Sequence, residues 1–327
     1  MNNYSPILRE IVLIGAGHTH ILFLRKWGMN PVPGVQVTLI SPDPKATYTG
    51  MLPGYIAGHY TLEQISTDLV KLCRFADASF IIGSVENLIA KKRKVYIKNR
   101  GSISYDILSI DIGVSSKPEI QVTRDAPVVA VKPFEDFAKS WELVKQKVSK
   151  SRSELKLFII GGGVGAAEIA LAAARSLTQL TKQDVRIVIM DSSFVLNGLL
   201  SSSRARILKA LEKRNIVVKE NIKINKITAE SIFFNGGNSE AFDFIFFCAG
   251  AIPYTWLENS DISLTEGFIN VGRGLYSTNF PEVFAVGDCA HLTYSPRPKS
   301  GVFAVRQAPI LFANIRARLL KKRLRFY

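Results

Sequence analysis

Two glycines, an alanine and an acid carry the clearest chemistry in this chain. In "FIIGGGVGAAEIALAAA" the pattern Gly161-x-Gly163-x-x-Ala166 stands between an apolar run and an alanine-rich one. Gly161 permits a tight turn, Gly163 lets a diphosphate approach the backbone, and Ala166 keeps a helix close to a strand. A helix that opens there offers unpaired N–H groups and positive potential to an anion. Asp191 ends the next apolar run, where a carboxylate can accept hydrogen bonds from a ribose. No arginine or lysine lies between Ser192 and Ser203 to meet a 2′-phosphate, so the residues favour NADH over NADPH.

A second stretch, "IVLIGAGHTHILFLRKW", starts at Ile11 and repeats the arrangement at Gly15 and Gly17, with His20 in the close-packing position. The strand expected after it ends in Ser41, whose hydroxyl bonds a ribose less strongly than a carboxylate, and the next acid is Asp43. Taken alone, these residues leave a dinucleotide site and a chance pair of glycines equally open. His18 and His20 at the helix start either donate to a phosphate or pack and cap. A helix N-terminus lowers a histidine pKa, which favours neutral rings.

Both stretches need a βαβ unit to position them, and the sequence supplies two. Ile11–Ile14 and Val35–Ile40 read as strands around a helix over Thr19–Trp27. Phe80–Val85, Lys94–Lys98 and Ile107–Ile110 are β-rich, with a turn at Asn99-Arg100-Gly101. After a polar stretch and a helix over Phe134–Val148, the second unit runs through a strand at Leu155–Ile160, a helix at Val164–Leu177 and a strand at Val185–Met190. A helix over Arg204–Arg214 and a strand at Ile216–Val218 follow, then the nearly continuous apolar run Phe242–Cys248, as expected inside a parallel sheet.

Bulk properties narrow the function classes. With 327 residues, 47% of them hydrophobic, two domains are the natural expectation. No apolar run reaches the roughly 18–20 residues of a membrane span, and no signal peptide precedes Ile11. The net charge of +15 is spread along the chain, without a basic stripe interleaved with aromatics, so nucleic acid is not an expected partner. Cys73, Cys248 and Cys289 lie far apart, with neither redox-pair nor metal-ligand spacing. A reduced, cytoplasmic protein without a metal is expected.

Three later stretches extend the pattern. Tyr105–Gly113 ("YDILSIDIG") resembles the "YDxLxxATG" return beside the flavin in two-dinucleotide-domain flavoproteins, with Asp111-Ile112 in place of Ala-Thr. Cys248–Pro253 resembles the matching "ATGxxP" crossing, and "VFAVGDCAH", Val283–His291, resembles the late "hhAxGD" motif. In this order the stretches resemble the FAD-dependent pyridine-nucleotide oxidoreductases, in the superfamily of the disulfide reductases. "YTGMLPGYIAG", Tyr48–Gly58, is similar to a segment of type II NADH dehydrogenases. "GHTH", "YTGMLPG", "GHYT" and "SIDIG" together resemble the NADH-dehydrogenase-like flavoproteins found alone or fused ahead of selenide, water dikinase.

This resemblance implies an α/β protein with two Rossmann-like domains, an FAD domain interrupted by an NAD(P)H domain. The expected bounds are 1–117 and 252–327 for the first and 118–251 for the second. Only 36 residues follow His291, so the C-terminal interface domain is expected to be largely absent, or the chain to be a fragment. FAD would be held by Gly15, Gly17, His18, Thr19, Ser41, Val85, Asp111, Gly113, Gly287 and Asp288. NADH would be held by Gly161, Gly163, Val164, Gly165, Glu168, Asp191, Ala249 and Gly250. Glu168 would lie at the nicotinamide amide, or else be a solvated carboxylate favoured by the helix dipole. Of the glutamines in the "AQxAxQQG" stretch by flavin and quinone, only the last survives, at Gln307; it and Glu168 are the expected catalytic residues.

The implied activity is hydride transfer from NADH to FAD, with electrons passed on to a small molecule or a quinone. No redox disulfide is expected, since no cysteine has a partner in sequence. A functional link to selenide, water dikinase is a further implication, and a non-catalytic, redox-sensing partner of a selenium-handling enzyme is the alternative. The basic tail places Leu311, Ile315 and Leu319 at helical spacing beside Arg316, Arg318, Lys321, Lys322, Arg323 and Arg325. Such a helix either lies peripherally on an anionic membrane or packs on the FAD domain.

Overall fold

The computed structural model describes residues 7–116 and 120–327. It divides into two units, one of Met1–Tyr48, Ser66–Val114 and Pro253–Tyr327, the other of Thr49–Ile65 and Ser115–Ile252. The boundary expected between residues 117 and 118 lies outside the described residues. Thr49–Ile65 had been expected in the FAD domain and instead belongs to the second unit. Its Leu52, Tyr55, Ile56 and Ile65 share a core with Phe134, Trp141 and Ala166, and the Tyr55 hydroxyl donates to Glu142 at 2.9 Å.

In the first unit a five-stranded sheet has the order Val283–Ala285, Ile107–Ile110, Arg9–Ile14, Val35–Ser41, Ser79–Ile82, with every pair parallel. Its central strands are buried on both faces, which is why they read as largely apolar runs. The helix His18–Met29 follows the first strand and buries Phe23, Leu24 and Trp27. The expected β-run Phe80–Val85 is in fact two strands. Gly83 donates its N–H to the Ser41 carbonyl at 2.9 Å, ending the parallel strand, and Val85–Ile89 begins an antiparallel meander with Lys94–Ile97 and Gly101–Ser104.

The second unit repeats this plan. Its parallel sheet runs Val128–Ala130, Phe244–Phe247, Leu155–Ile160, Val185–Met190, Val217–Lys219. The helix Val164–Leu180 buries Ala166, Ala170 and Ala173, whose single methyl groups let it lie close on its neighbours. The helix expected over Arg204–Arg214 starts earlier, at Ser201, and ends at Glu212. In each sheet the strand that feeds the glycine turn lies between the next strand and a much later one. The order therefore reverses at that strand, which makes its carboxyl end a topological switch point, where open α/β sheets bind ligands.

Candidate functional site

In the second unit the glycine turn is built as the spacing predicts. Gly161 has φ +116°, and a Cβ there would stand 2.9 Å from the Ala249 nitrogen, so the turn demands glycine. Gly163 has an ordinary φ of −73° and caps the helix with no side-chain bond. Cβ atoms at Gly163 or Gly165 would meet nothing within 4 Å. Val164, Gly165 and Glu168 are exposed on the helix's first turns, and Gly250 has φ +75° beside Ala249. Open space therefore fronts a helix N-terminus that no side chain of its own cap satisfies, which fits a dinucleotide diphosphate.

Asp191 is anchored at this turn. Its Oδ2 accepts the Gly162 N–H at 2.6 Å, and its Oδ1 accepts from the N–H and hydroxyl of Ser193, both at 2.7 Å. Two cations of the following elements are engaged with carboxylates. Arg204 donates to the Val195 carbonyl and pairs with Glu220, and Lys219 pairs with Glu240.

The first unit uses the same turn with different side chains. Gly15 has φ +85° and donates its N–H to the Ile40 carbonyl at 2.8 Å. Gly17 donates to the Asp111 carbonyl at 3.1 Å, and a Cβ on Gly17 would overlap the Asp111 carboxylate. Asp111 is itself fixed by its N–H, 2.8 Å from the Ile14 carbonyl. Its Oδ2 accepts the His20 N–H at 3.1 Å, and the Thr19 N–H bonds the carboxylate as well. Burial lifts the Asp111 carboxyl to about 7; the bonds from His20 and Thr19 oppose this and the charge of Asp288 adds to it.

His20 is fully buried and does not face a phosphate. Its Nδ1 lies 2.7 Å from the Gly15 carbonyl, which can only accept, so Nδ1 carries the proton. Nε2 then accepts the Ser109 hydroxyl at 2.8 Å. Burial pushes its pKa down to about 4, against the pull of the Gly15 bond, so the ring is neutral. His18 instead packs its ring 4.8 Å from Tyr48. The Thr19 hydroxyl also donates to the Ala304 carbonyl at 2.8 Å.

The remaining expected residues sit on the surrounding loops. Ser41 ends its strand, buried, and Val85 begins the meander. Gly113 has φ +64° with open space at its Cβ direction. Gly287 has φ +67°, and a Cβ there would lie 2.6 Å from Asp111 Oδ1. Asp288 follows it on the short turn Gly287–Cys289. Gln307, expected as a catalytic group, is buried at 1% exposure and its Oε1 accepts the Gly287 N–H at 2.7 Å. It holds the turn. Sequence reasoning missed Ser109 and Ala304, although a serine inside the apolar strand Ile107–Ile110 signals a buried polar partner.

The three cysteines are free thiols, and burial raises Cys73 to about 11 and Cys248 and Cys289 to about 12. The tail helix spans Gly301–Leu319, and its expected apolar face is spent inside the first unit, with Leu311 and Ile315 fully buried. The chain then folds back, Asn314 bonding both N–H and carbonyl of Arg325. Lys321, Lys322, Arg323 and Arg325 remain exposed, and among the described residues no helix is long and apolar enough to cross a membrane.

A model of the family described as pyridine nucleotide-disulphide oxidoreductase matches residues 9–308. The chain is 30% identical to Coenzyme A disulfide reductase of Staphylococcus aureus over 142 residues, 42% of this chain and 31% of that protein. It is 25% identical to mitochondrial sulfide:quinone oxidoreductase of Schizosaccharomyces pombe over 258 residues, 71% of this chain and 54% of that protein. The matches thus span about a third and about half of these relatives' lengths. Among solved structures, the sulfide:quinone oxidoreductase of Aquifex aeolicus superposes with a TM-score of 0.80 at 19% identity, covering 96% of this chain and 77% of that one. The water-forming NADH oxidase of Lactobacillus brevis bound to NADH gives 0.78 at 18% identity, covering 98% and 71%. At these identities the likeness is one of fold.

Proposed function

Since the chain belongs to the pyridine nucleotide-disulphide oxidoreductase family, we propose that it is an FAD-dependent NAD(P)H oxidoreductase, with FAD on the first unit and NADH on the second. The observation that carries this reading is the repeated switch point: in each of two parallel sheets the strand feeding the glycine turn lies between the next strand and a much later one, and the turn opens a helix. A bound flavin takes a hydride from reduced nicotinamide and passes electrons on singly or in pairs. The chain's own part is to bind and orient. Gly163 and Gly165 leave room at the second helix for the diphosphate of NADH, and Asp191, already oriented by Gly162 and Ser193, accepts from its ribose. The commitment of Arg204 and Lys219 to carboxylates supports NADH over NADPH. Gln307 is a positioning residue that holds Gly287 beside the flavin seat, and Glu168 is available to the nicotinamide.

The acceptor is a small molecule or a quinone. High thiol pKa values at all three cysteines support a route without a redox disulfide. An anaerobic NADH titration followed by visible absorbance tests the reading. Stoichiometric bleaching of a flavin spectrum is expected; a flavin that stays oxidised with NADH bound favours the non-catalytic, redox-sensing alternative. The proposed location is the cytoplasm. The finer link to selenide, water dikinase rests on the resemblance of "GHTH", "YTGMLPG", "GHYT" and "SIDIG". It predicts that this protein with NADH alters that enzyme's rate, and an unchanged rate counts against it.

A further inference from the structure

The two units share one topology and differ where a diphosphate belongs. At the second helix N-terminus the Cβ directions of Gly163 and Gly165 open on empty space. At the first, a carboxylate belonging to the chain already sits there. The Asp111 side chain lies against Gly17 and Gly287, where a Cβ at either glycine would run into it, and it takes N–H groups from the first turn of the helix. Its backbone is pinned to Ile14 and Gly17, so it cannot retreat by a shift of the strand end. A helix N-terminus has few unpaired N–H groups to give. Two anions that share them in a buried cradle cannot both keep full charge.

We propose that Asp111 is a proton-linked gate on the diphosphate seat of the first unit: FAD is held with Asp111 protonated, and is released as Asp111 ionises and reclaims the N–H groups of Thr19 and His20. The inference rests on the assignment of FAD to that unit. Binding takes up one proton, which stays on the Asp111 carboxyl, where it can donate to a phosphate oxygen; no other bond changes.

The groups around Asp111 leave it as the titrating one near neutrality. On the first helix, the His20 ring is neutral and tied to Gly15 and Ser109, and His18 packs on Tyr48. From the turn after the last strand come Asp288, whose negative charge disfavours ionised Asp111, and the Cys289 thiol, which stays protonated. Lys299, behind them, donates to the Ala290 carbonyl at 2.7 Å and is drawn to Asp288. The tail helix presents the neutral Ala304 and Gln307, and its Arg306 is exposed. Burial already places Asp111 at about 7, and a neighbouring diphosphate raises it further.

The test is FAD binding to the flavin-free full chain, followed by quenching of flavin fluorescence at pH 6 to 9 in wild type and Asp111→Asn. Wild-type Kd is expected to rise about tenfold per pH unit above 7. The variant should stay flat and bind more tightly than wild type at pH 9. Calorimetry in buffers of different ionisation enthalpy should find about one proton taken up per FAD at pH 8 in wild type, a readout that needs no variant. A flat wild-type profile, equal slopes in both proteins, or a variant that binds NADH but no FAD overturns the gate. If wild type binds no FAD at any pH, the flavin assignment itself fails and the gate falls with it.

Discussion

Replacing Gly163 and Gly161 by alanine, one at a time, separates room for a ligand from room for the fold. Gly163 has φ −73°, which any residue adopts, and a Cβ there meets nothing within 4 Å. The free protein should therefore lose no stability in Gly163→Ala, and could gain roughly 0.4–1 kcal/mol from a less flexible unfolded chain. The added methyl instead projects into the open space before the helix N-terminus. Holding a diphosphate away from those N–H groups should remove one or two charge-assisted hydrogen bonds, each contributing about 1.5–3 kcal/mol. NADH affinity should fall about tenfold at the least and about ten-thousandfold at the most. Gly161→Ala should behave oppositely. At φ +116° an L-residue is strained by roughly 1–3 kcal/mol, and its Cβ would press on the Ala249 backbone 2.9 Å away, so the free protein itself should melt earlier. Thermal melts of the flavin-free, NADH-free protein give one axis, and quenching of NADH fluorescence gives the other. Wild-type NADH affinity in Gly163→Ala would refute the placement of the diphosphate. Equal melting losses in the two variants would refute the geometry of the turn.

Opposing protonations should shape the acid stability of the flavin-free protein. His20, lowered to about 4, contributes stability that is present above its unfolded value near 6.5 and lost as pH falls to 4; Asp111, raised to about 7, contributes stability that is present below about 4 and lost as pH rises through 7. Wild type should be nearly flat between pH 4 and 6.5, whereas Asp111→Asn should lose roughly 3 kcal/mol over that window on cooling-reversible melts, and a flat variant sinks the assignment. Asp191→Asn should weaken NADH binding about tenfold while leaving NADPH nearly unchanged, as competition titrations would show; equal losses remove Asp191 from ribose recognition. Cutting residues 321–327 tests the remaining basic surface: with the apolar face of the tail helix buried, co-sedimentation with anionic liposomes should be weak and fade at physiological salt, and salt-resistant binding would show that the tail helix opens.

Much of the fold was legible because strands buried on both faces leave mostly apolar runs, and Leu155–Ile160 and Val185–Met190 appear with the expected bounds. The glycine turn of the second unit was equally clear, since φ and close approach restrict Gly161 to one residue type. The allegiance of Thr49–Ile65 was not. It depends on a long-range pairing of Leu52, Tyr55 and Ile56 with the helix Phe134–Lys150 and its neighbours, and no local period encodes that. The tail was legible in part: helical spacing of Leu311 and Ile315 marks a face that must be covered, and the structure selects packing in the first unit's core from the two options that spacing left open.

The first unit shows why its two departures from the fingerprint had to be read together. A histidine in the close-packing position leaves two ring nitrogens in a dry core, where an unmet polar group costs about 1–3 kcal/mol. The Gly15 carbonyl satisfies one and the Ser109 hydroxyl the other. Ser109 lies in the strand Ile107–Ile110 and Asp111 directly follows its end, where it accepts the backbone N–H of that same histidine. "GHTH" and "SIDIG" are therefore two halves of one polar network joining the first helix to the neighbouring strand. Substituting His20 by alanine in isolation would strand Ser109 and the Gly15 carbonyl. Returning Asp111 alone to alanine would free helix N–H groups and clear the space between Gly17 and Gly287. The first change should act on stability and the second on the proposed anion seat, so melting of His20→Ala and FAD binding by Asp111→Ala would separate the two halves of a network whose members stand ninety-one positions apart.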